Sequence, residues 1–80
     1  MEHLKELDLA ILRSDLPDAG LRAGDVGVVV HVYAQGQGYE VEFVSGEGRT
    51  IAVLTLPSKA VRPFRGKEIL HARPLLAASS

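Results

Sequence analysis

Gly24-Asp25-Val26-Gly27-Val28-Val29-Val30-His31-Val32-Tyr33, followed by Gly38-Tyr39-Glu40-Val41-Glu42-Phe43-Val44, is the stretch that decides the fold. It reads as a tight turn, a long strand, a reversal through Gln35-Gly36-Gln37-Gly38 and a second strand. In the first strand Val26, Val28, Val30 and Val32 alternate with Gly27, Val29, His31 and Tyr33. Successive side chains of a strand point to opposite faces, so the all-valine set is expected inside and the other set half exposed. Gly27 within the strand marks a bulge or a point of strong coiling, which a small barrel needs in order to close. On the return strand Tyr39, Val41 and Phe43 are expected to face the core, with Glu40 and Glu42 in water.

Outward from this hairpin the chain continues as a meander. Ser45-Gly46-Glu47-Gly48 is a turn, and Arg49 to Leu56 a third strand with Ile51, Val53 and Thr55 on one side and Ala52, Leu54 and Leu56 on the other. Apolar residues on both faces predict a strand that is central or covered. Pro57-Ser58-Lys59-Ala60 predicts a single 3-10 turn with the proline at its start, and Val61-Arg62-Pro63 resumes extended structure. Upstream, Leu7, Leu9 and Ile11 alternate with Asp8, Ala10 and Leu12, which suits a first strand of about five residues. The segment from Arg13 to Asp25 is a long loop punctuated by Pro17, Gly20 and Gly24, with Leu16 and Leu21 tucked beneath it. Downstream, Glu68 to Leu75 has the apolar content of a further strand that could pair with the first one, and Ala77 to Ser80 is expected to fray. The whole predicts one mainly-β domain with its core over residues 7–75: a small SH3-like antiparallel barrel of five or six strands. The rival, an oligonucleotide-binding barrel, normally carries a helix between its third and fourth strands, and no helical stretch of that length is present.

Composition limits the function classes. At 80 residues the chain is a single small domain, able to bury only about 60% of its unfolded surface, so it gains from a shared core or a partner. There is no cysteine, which excludes disulfides, thiolate nucleophiles and cysteine-containing zinc sites. The N-terminal residues form no apolar signal segment and no window is apolar enough to span a membrane, so the cytoplasm is the expected location. A net charge of −1 gives no long-range attraction to nucleic acid or anionic lipid.

Four blocks in order carry a resemblance: Asp15-Leu16-Pro17, Gly20-Leu21-Arg22-Ala23-Gly24-Asp25-Val26-Gly27, Tyr39-Glu40-Val41-Glu42-Phe43 and Ala52-Val53-Leu54-Thr55-Leu56. Over residues 8–73 the chain resembles a family of small bacterial proteins described as domain of unknown function 4926. The resemblance implies an SH3-like barrel and a compact bacterial protein, and it brings no catalytic residues. A looser similarity through Gly24 to Val29 extends to other SH3-like barrels, including RNA-binding ribosomal and transcription-factor domains and the accessory barrel of nitrile hydratases. That segment is a strand-entry turn and follows fold more than function.

No catalytic, cofactor or metal constellation emerges from the residues. His3, His31 and His71 sit on different elements without ligand spacing. Glu40 and Glu42, about 7 Å apart by strand rise, fit a solvated strand face. Asp15, Asp18 and Asp25 fit turn residues bonded to nearby backbone amides. Gly36 and Gly38 precede a strand, not the helix a phosphate loop requires. Ser14, Ser45 and Ser58 have no adjacent base. What remains is an apolar surface, expected at Val29, His31, Tyr33 and Leu54 with Leu16 and Leu21 of the first loop. Its expected role is contact with another protein or with a second copy, as an adaptor, an accessory subunit or an antitoxin-like companion. The alternative is nucleic-acid binding through Arg62, Arg65, Lys67 and Arg73, gathered around Phe64.

Overall fold

The computed structural model describes residues 3–75; the expected fraying of Ala77 to Ser80 lies outside them. Five strands form one antiparallel sheet: β1 (Leu9–Leu12), β2 (Val26–Tyr33), β3 (Gly38–Val44), β4 (Thr50–Pro57) and β5 (Val61–Pro63), in the order β4-β3-β2-β1-β5. Short 3-10 turns occupy Pro17–Ala19, Ala34–Gly36 and Ser58–Ala60, and there is no α-helix among the described residues. The expected strand over Glu68 to Leu75 does not form. β1 finds both its neighbours in β2 and β5, so its two edges are already used.

The connection between β4 and β5 sets the shape. In a flat sheet, four inter-strand spacings would hold these end strands about 19 Å apart. The link through Ser58–Ala60 carries the chain from Pro57 to Val61 and can stretch only about 14 Å. The sheet therefore rolls up, bringing its two end strands towards one another. The ladder does not close between them, and the result is a loose, open-edged barrel.

Inside the roll lie Leu12, Val29, Tyr39 and Val41, all almost fully buried, with Leu4, Ala10, Leu21, Phe43, Leu56 and Val61 around them. The return strand behaves as its alternation predicts: Tyr39, Val41 and Phe43 point in. β2 does not. Val29 has no exposed surface and Gly27 is buried, while Val30 is 39% exposed, the reverse of the expected faces. Two features explain this. Gly27 lies against β3, where an added Cβ would fall 2.6 Å from Val41 Cγ1 and 2.9 Å from Glu42 O. Only the residue without a side chain fits on that inner side. The register then shifts between Val29 and His31, leaving Val30 as the extra residue of a bulge, so that Val32 returns inward to the pair with Tyr39.

β4 also departs from expectation. Among the described residues it is an edge strand and not a central one. Its register pairs Ala52, Leu54 and Leu56 with Phe43, Val41 and Tyr39, so this set turns inward and Val53 turns out, 46% exposed. The hairpin between β2 and β3 turns through Ala34, Gln35 and Gly36 with φ of 44°, 59° and 95°. Left-handed backbone costs a side-chain-bearing residue roughly 1 kcal/mol, which only Gly36 escapes.

Two stability outcomes follow. Gly27→Ala lowers the urea-unfolding free energy by about 2 kcal/mol through overpacking, whereas Gly46→Ala, where a Cβ meets open space, stays within about 0.5 kcal/mol. Ala34→Asn with Gln35→Gly raises stability by about 1 kcal/mol by relieving the left-handed turn.

Candidate partner-binding face

The outward side of β2, β3 and β4 presents Val28, Val30, His31 and Tyr33, then Glu40 and Glu42, then Val53 and Thr55, by register and by exposure. Its centre is ordered by short polar contacts. The His31 and Tyr33 rings meet edge to face with centroids 4.3 Å apart. The Tyr33 hydroxyl donates to Glu40 Oε1 at 2.9 Å, and Thr50 Oγ1 donates to Glu42 Oε2 at 2.7 Å. The bond to Glu40 holds the Tyr33 phenol above its ordinary pKa, since losing its proton would place two negative charges together. Both carboxylates stay on the surface with neutral donors. The aromatic pair is fixed in place on the face that also carries exposed Val30 and Val53.

The structure divides the expected partner residues. His31 and Tyr33 lie on this face and are exposed. Val29 does not: it is in the core, because the bulge comes after it. Leu54 packs against the core, and Val53 takes its place outside. Leu21 is buried and Leu16 half buried, each holding the first loop from below. Their backbones exchange two hydrogen bonds, Leu16 N to Leu21 O at 2.9 Å and Leu21 N to Leu16 O at 3.1 Å. Val30 is hidden from the sequence pattern by a bulge that a run of valines does not signal, and Val53 by a strand whose two faces are both apolar.

The expected basic cluster is also divided. Arg62 forms a fork with Glu68, with bonds of 2.8 and 2.5 Å. This bond, joined by the Arg65 amide, holds the Glu68 carboxyl down at about 2. Arg73 forms a second fork across the molecule to Asp25, Nε to Oδ1 at 2.9 Å and Nη2 to Oδ2 at 2.5 Å, and also donates to the Gly20 carbonyl. Burial pushes the Asp25 carboxyl up, but the hydrogen bond from Arg73, the Arg22 amide and the two guanidinium charges outweigh it and leave the group below its ordinary value. Lys67 and Arg65 remain at the surface. Asp15 accepts from the Ala23 amide, as a turn aspartate does.

These forks tie residues 64–75 across the barrel. Leu70, Ala72 and Leu75 of this segment line a cavity of about 350 Å³ together with Leu21, Val26 and Ile51. Ile69 and Leu70 nevertheless stay largely exposed, so apolar packing of the tail is thin and Arg73 supplies its defined anchor. A second cavity of about 250 Å³ lies where the β4–β5 turn meets the N-terminal residues.

A family model described as "Domain of unknown function (DUF4926)" matches residues 6–63. The match begins just before β1 and ends with the last residue of β5, covering the whole sheet. Comparison with curated proteins and with solved structures returns no match.

The Asp25 latch has a defined pH sign. A carboxyl with a depressed folded-state pKa stabilises above its ordinary range, about pH 4, and the contribution is lost as pH falls through the depressed value. Asp25→Asn therefore frees residues 70–75 at neutral pH, seen as loss of amide ordering by NMR. The strand amides stay unchanged and global stability falls by no more than about 1 kcal/mol. On acidification of the natural chain the Arg62–Glu68 contact persists until pH about 2.

Proposed function

Because the chain belongs to the family described as a domain of unknown function, DUF4926, its role has to be argued from its surface, and we propose that it is a non-enzymatic protein-interaction module. In this reading the rolled sheet is an SH3-like barrel of a small bacterial, cytoplasmic protein, acting as an adaptor or accessory subunit. The observation that carries the proposal is the coincidence of an exposed apolar face with a strand edge that is unpaired among the described residues. β4 runs eight residues, Thr50-Ile51-Ala52-Val53-Leu54-Thr55-Leu56-Pro57, without a single charge. Charge and early proline are the usual means by which an edge strand is kept from pairing, and here the proline comes only at the end. Such an edge offers backbone hydrogen bonds to an extended segment of a partner, and alternate side chains beside it supply selectivity.

The neighbours fit that division of labour. An added strand alongside β4 lays its outward side chains next to Val53 and Thr55, with Val30 and the His31–Tyr33 pair farther along the same face. Aromatic residues held rigid in advance cost little entropy on binding and are favoured as interface anchors. Glu40 and Glu42 form the only charges on this part of the sheet and favour a segment with basic side chains at alternate positions. Nucleic-acid binding draws less support, because two of its four expected cations, Arg62 and Arg73, are engaged by Glu68 and Asp25.

The test is a tagged purification from the native host, comparing the natural chain with Tyr33→Ala/Val53→Ala and with Arg65→Ala/Lys67→Ala. A single protein at fixed stoichiometry should survive a high-salt wash with the natural chain and with the second variant. The first variant should lose it by at least tenfold while keeping its melting temperature within a few degrees. Nucleic acid that leaves with salt and depends on Arg65 and Lys67 would overturn the reading. A dimer in light scattering that Val53→Ala dissociates would assign the edge to a second copy.

A further inference from the structure

The cavity of about 250 Å³ beside the β4–β5 turn has an unusual lining: its polar side chains are His3, Arg13, Tyr39, Ser58 and Lys59, with no aspartate or glutamate among them. The elements that assemble it are far apart in sequence. Arg13 follows β1, Tyr39 opens β3, Ser58 and Lys59 form the turn before β5, and His3 comes from the N-terminal segment. Gly36 gives room for this arrangement, since a Cβ there would lie 2.9 Å from His3 Nδ1.

His3, Arg13, Ser58 and Lys59 are exposed, so the cavity opens to solvent, and hydrogen-bond accounting shows what it offers a ligand. The Tyr39 side chain is among the most buried in the protein, 2% exposed. Its oxygen accepts the Leu4 amide at 3.1 Å, but its own O–H finds no acceptor among the described residues. A phenol has one proton to give, and with its oxygen already accepting from Leu4 that proton is available to a molecule in the cavity. Arg13 donates through Nε to the Val61 carbonyl at 3.1 Å, which fixes the guanidinium at the wall. Its two terminal nitrogens make no protein hydrogen bond among the described residues, and the same holds for the Lys59 ammonium. The cavity thus brings together a guanidinium edge, an ammonium and a phenolic O–H, with a serine hydroxyl and an imidazole beside them. Apart from the hydroxyl oxygens and the imidazole, its side chains offer donors without acceptors.

We propose that this cavity binds a phosphate oxyanion, with Arg13 and Lys59 as counter-charges and the Tyr39 and Ser58 hydroxyls as neutral donors. A guanidinium presents its N–H groups in a planar fork that matches two oxygens of such a group, and an ammonium adds a point charge. Two cations favour a doubly charged phosphate over a carboxylate of single charge. The volume admits a phosphate with a small organic substituent and excludes a nucleotide held whole. None of the lining residues belongs to the outward face of β2, β3 and β4, so the site is independent of the proposed partner surface.

Titration of the full chain with inorganic phosphate, followed by amide NMR at constant ionic strength, tests it. Saturable shifts are expected at Leu4, Gly36, Ser58, Lys59 and Val61, with a Kd on the order of 1 mM. Arg13→Ala/Lys59→Ala should weaken binding at least tenfold, and Tyr39→Phe several-fold. If the double variant does not fold, Lys59→Ala alone and Tyr39→Phe must each weaken it. Glycerol phosphate distinguishes the source of the anion. Tighter binding than inorganic phosphate assigns an organic phosphate, and equal binding assigns the oxyanion alone. Shifts that rise linearly without saturation, that are matched by acetate, or that are unchanged in the variants overturn the site.

Discussion

The short link from β4 to β5 is the constraint on which the rest of the molecule depends. Because Ser58–Ala60 cannot span the width of a flat five-stranded sheet, the sheet has to roll, and rolling defines an inside. The inside is narrow. It admits Val29, Val41 and Tyr39 at the centre only because Gly27 lets β2 lie close against Val41 and Phe43. A chain of this size has little core to spare, so close approach at one glycine and the bulge three residues later together decide which side chains are core and which are surface.

That partition produces both surfaces with functional character. Turning Val29 inward puts Val30, His31 and Tyr33 outside, where the edge-to-face ring pair and the bond to Glu40 fix them. Rolling without closing leaves β4 with one edge of its backbone uncommitted among the described residues. At one end of the roll, the β4–β5 turn brings Ser58 and Lys59 beside Tyr39 and Arg13, concentrating donors in a chain whose net charge is −1. Beside the first loop, Arg73 reaches Asp25 and ties down a tail whose own apolar residues remain half outside. Charge balance over the whole chain conceals this local separation of donors and acceptors.

Much of the architecture was legible in the residues. The alternation Tyr39-Glu40-Val41-Glu42-Phe43 contains two acids, and acids mark the wet face without ambiguity. Pro57 announced the 3-10 turn, and Gly20 and Gly24 the punctuated loop, because turn chemistry is local. Leu16 and Leu21 were readable as the loop's own apolar contacts for the same reason. β2 offered no such marker, since valines occupy both faces and the pattern reads equally well in either phase. Gly27 held the clue: in a small rolled sheet, the inner face is where a missing side chain is needed. The tail from Glu68 to Leu75 has the composition of a strand, but composition does not say whether an edge is available to receive it.

The sequence by itself therefore determined the β2–β3–β4 meander with its turns and which face of β3 is buried, because periodicity and turn preference act over a few residues. The tertiary structure alone decided the phase of β2 and β4, the edge position of β4 and the absence of a sixth strand among the described residues. It also decided the Arg73–Asp25 fork, whose partners stand 48 residues apart, and the donor-lined cavity drawn from four separate segments. These depend on register and on long-range proximity, which a rolled sheet imposes all at once and no single stretch encodes.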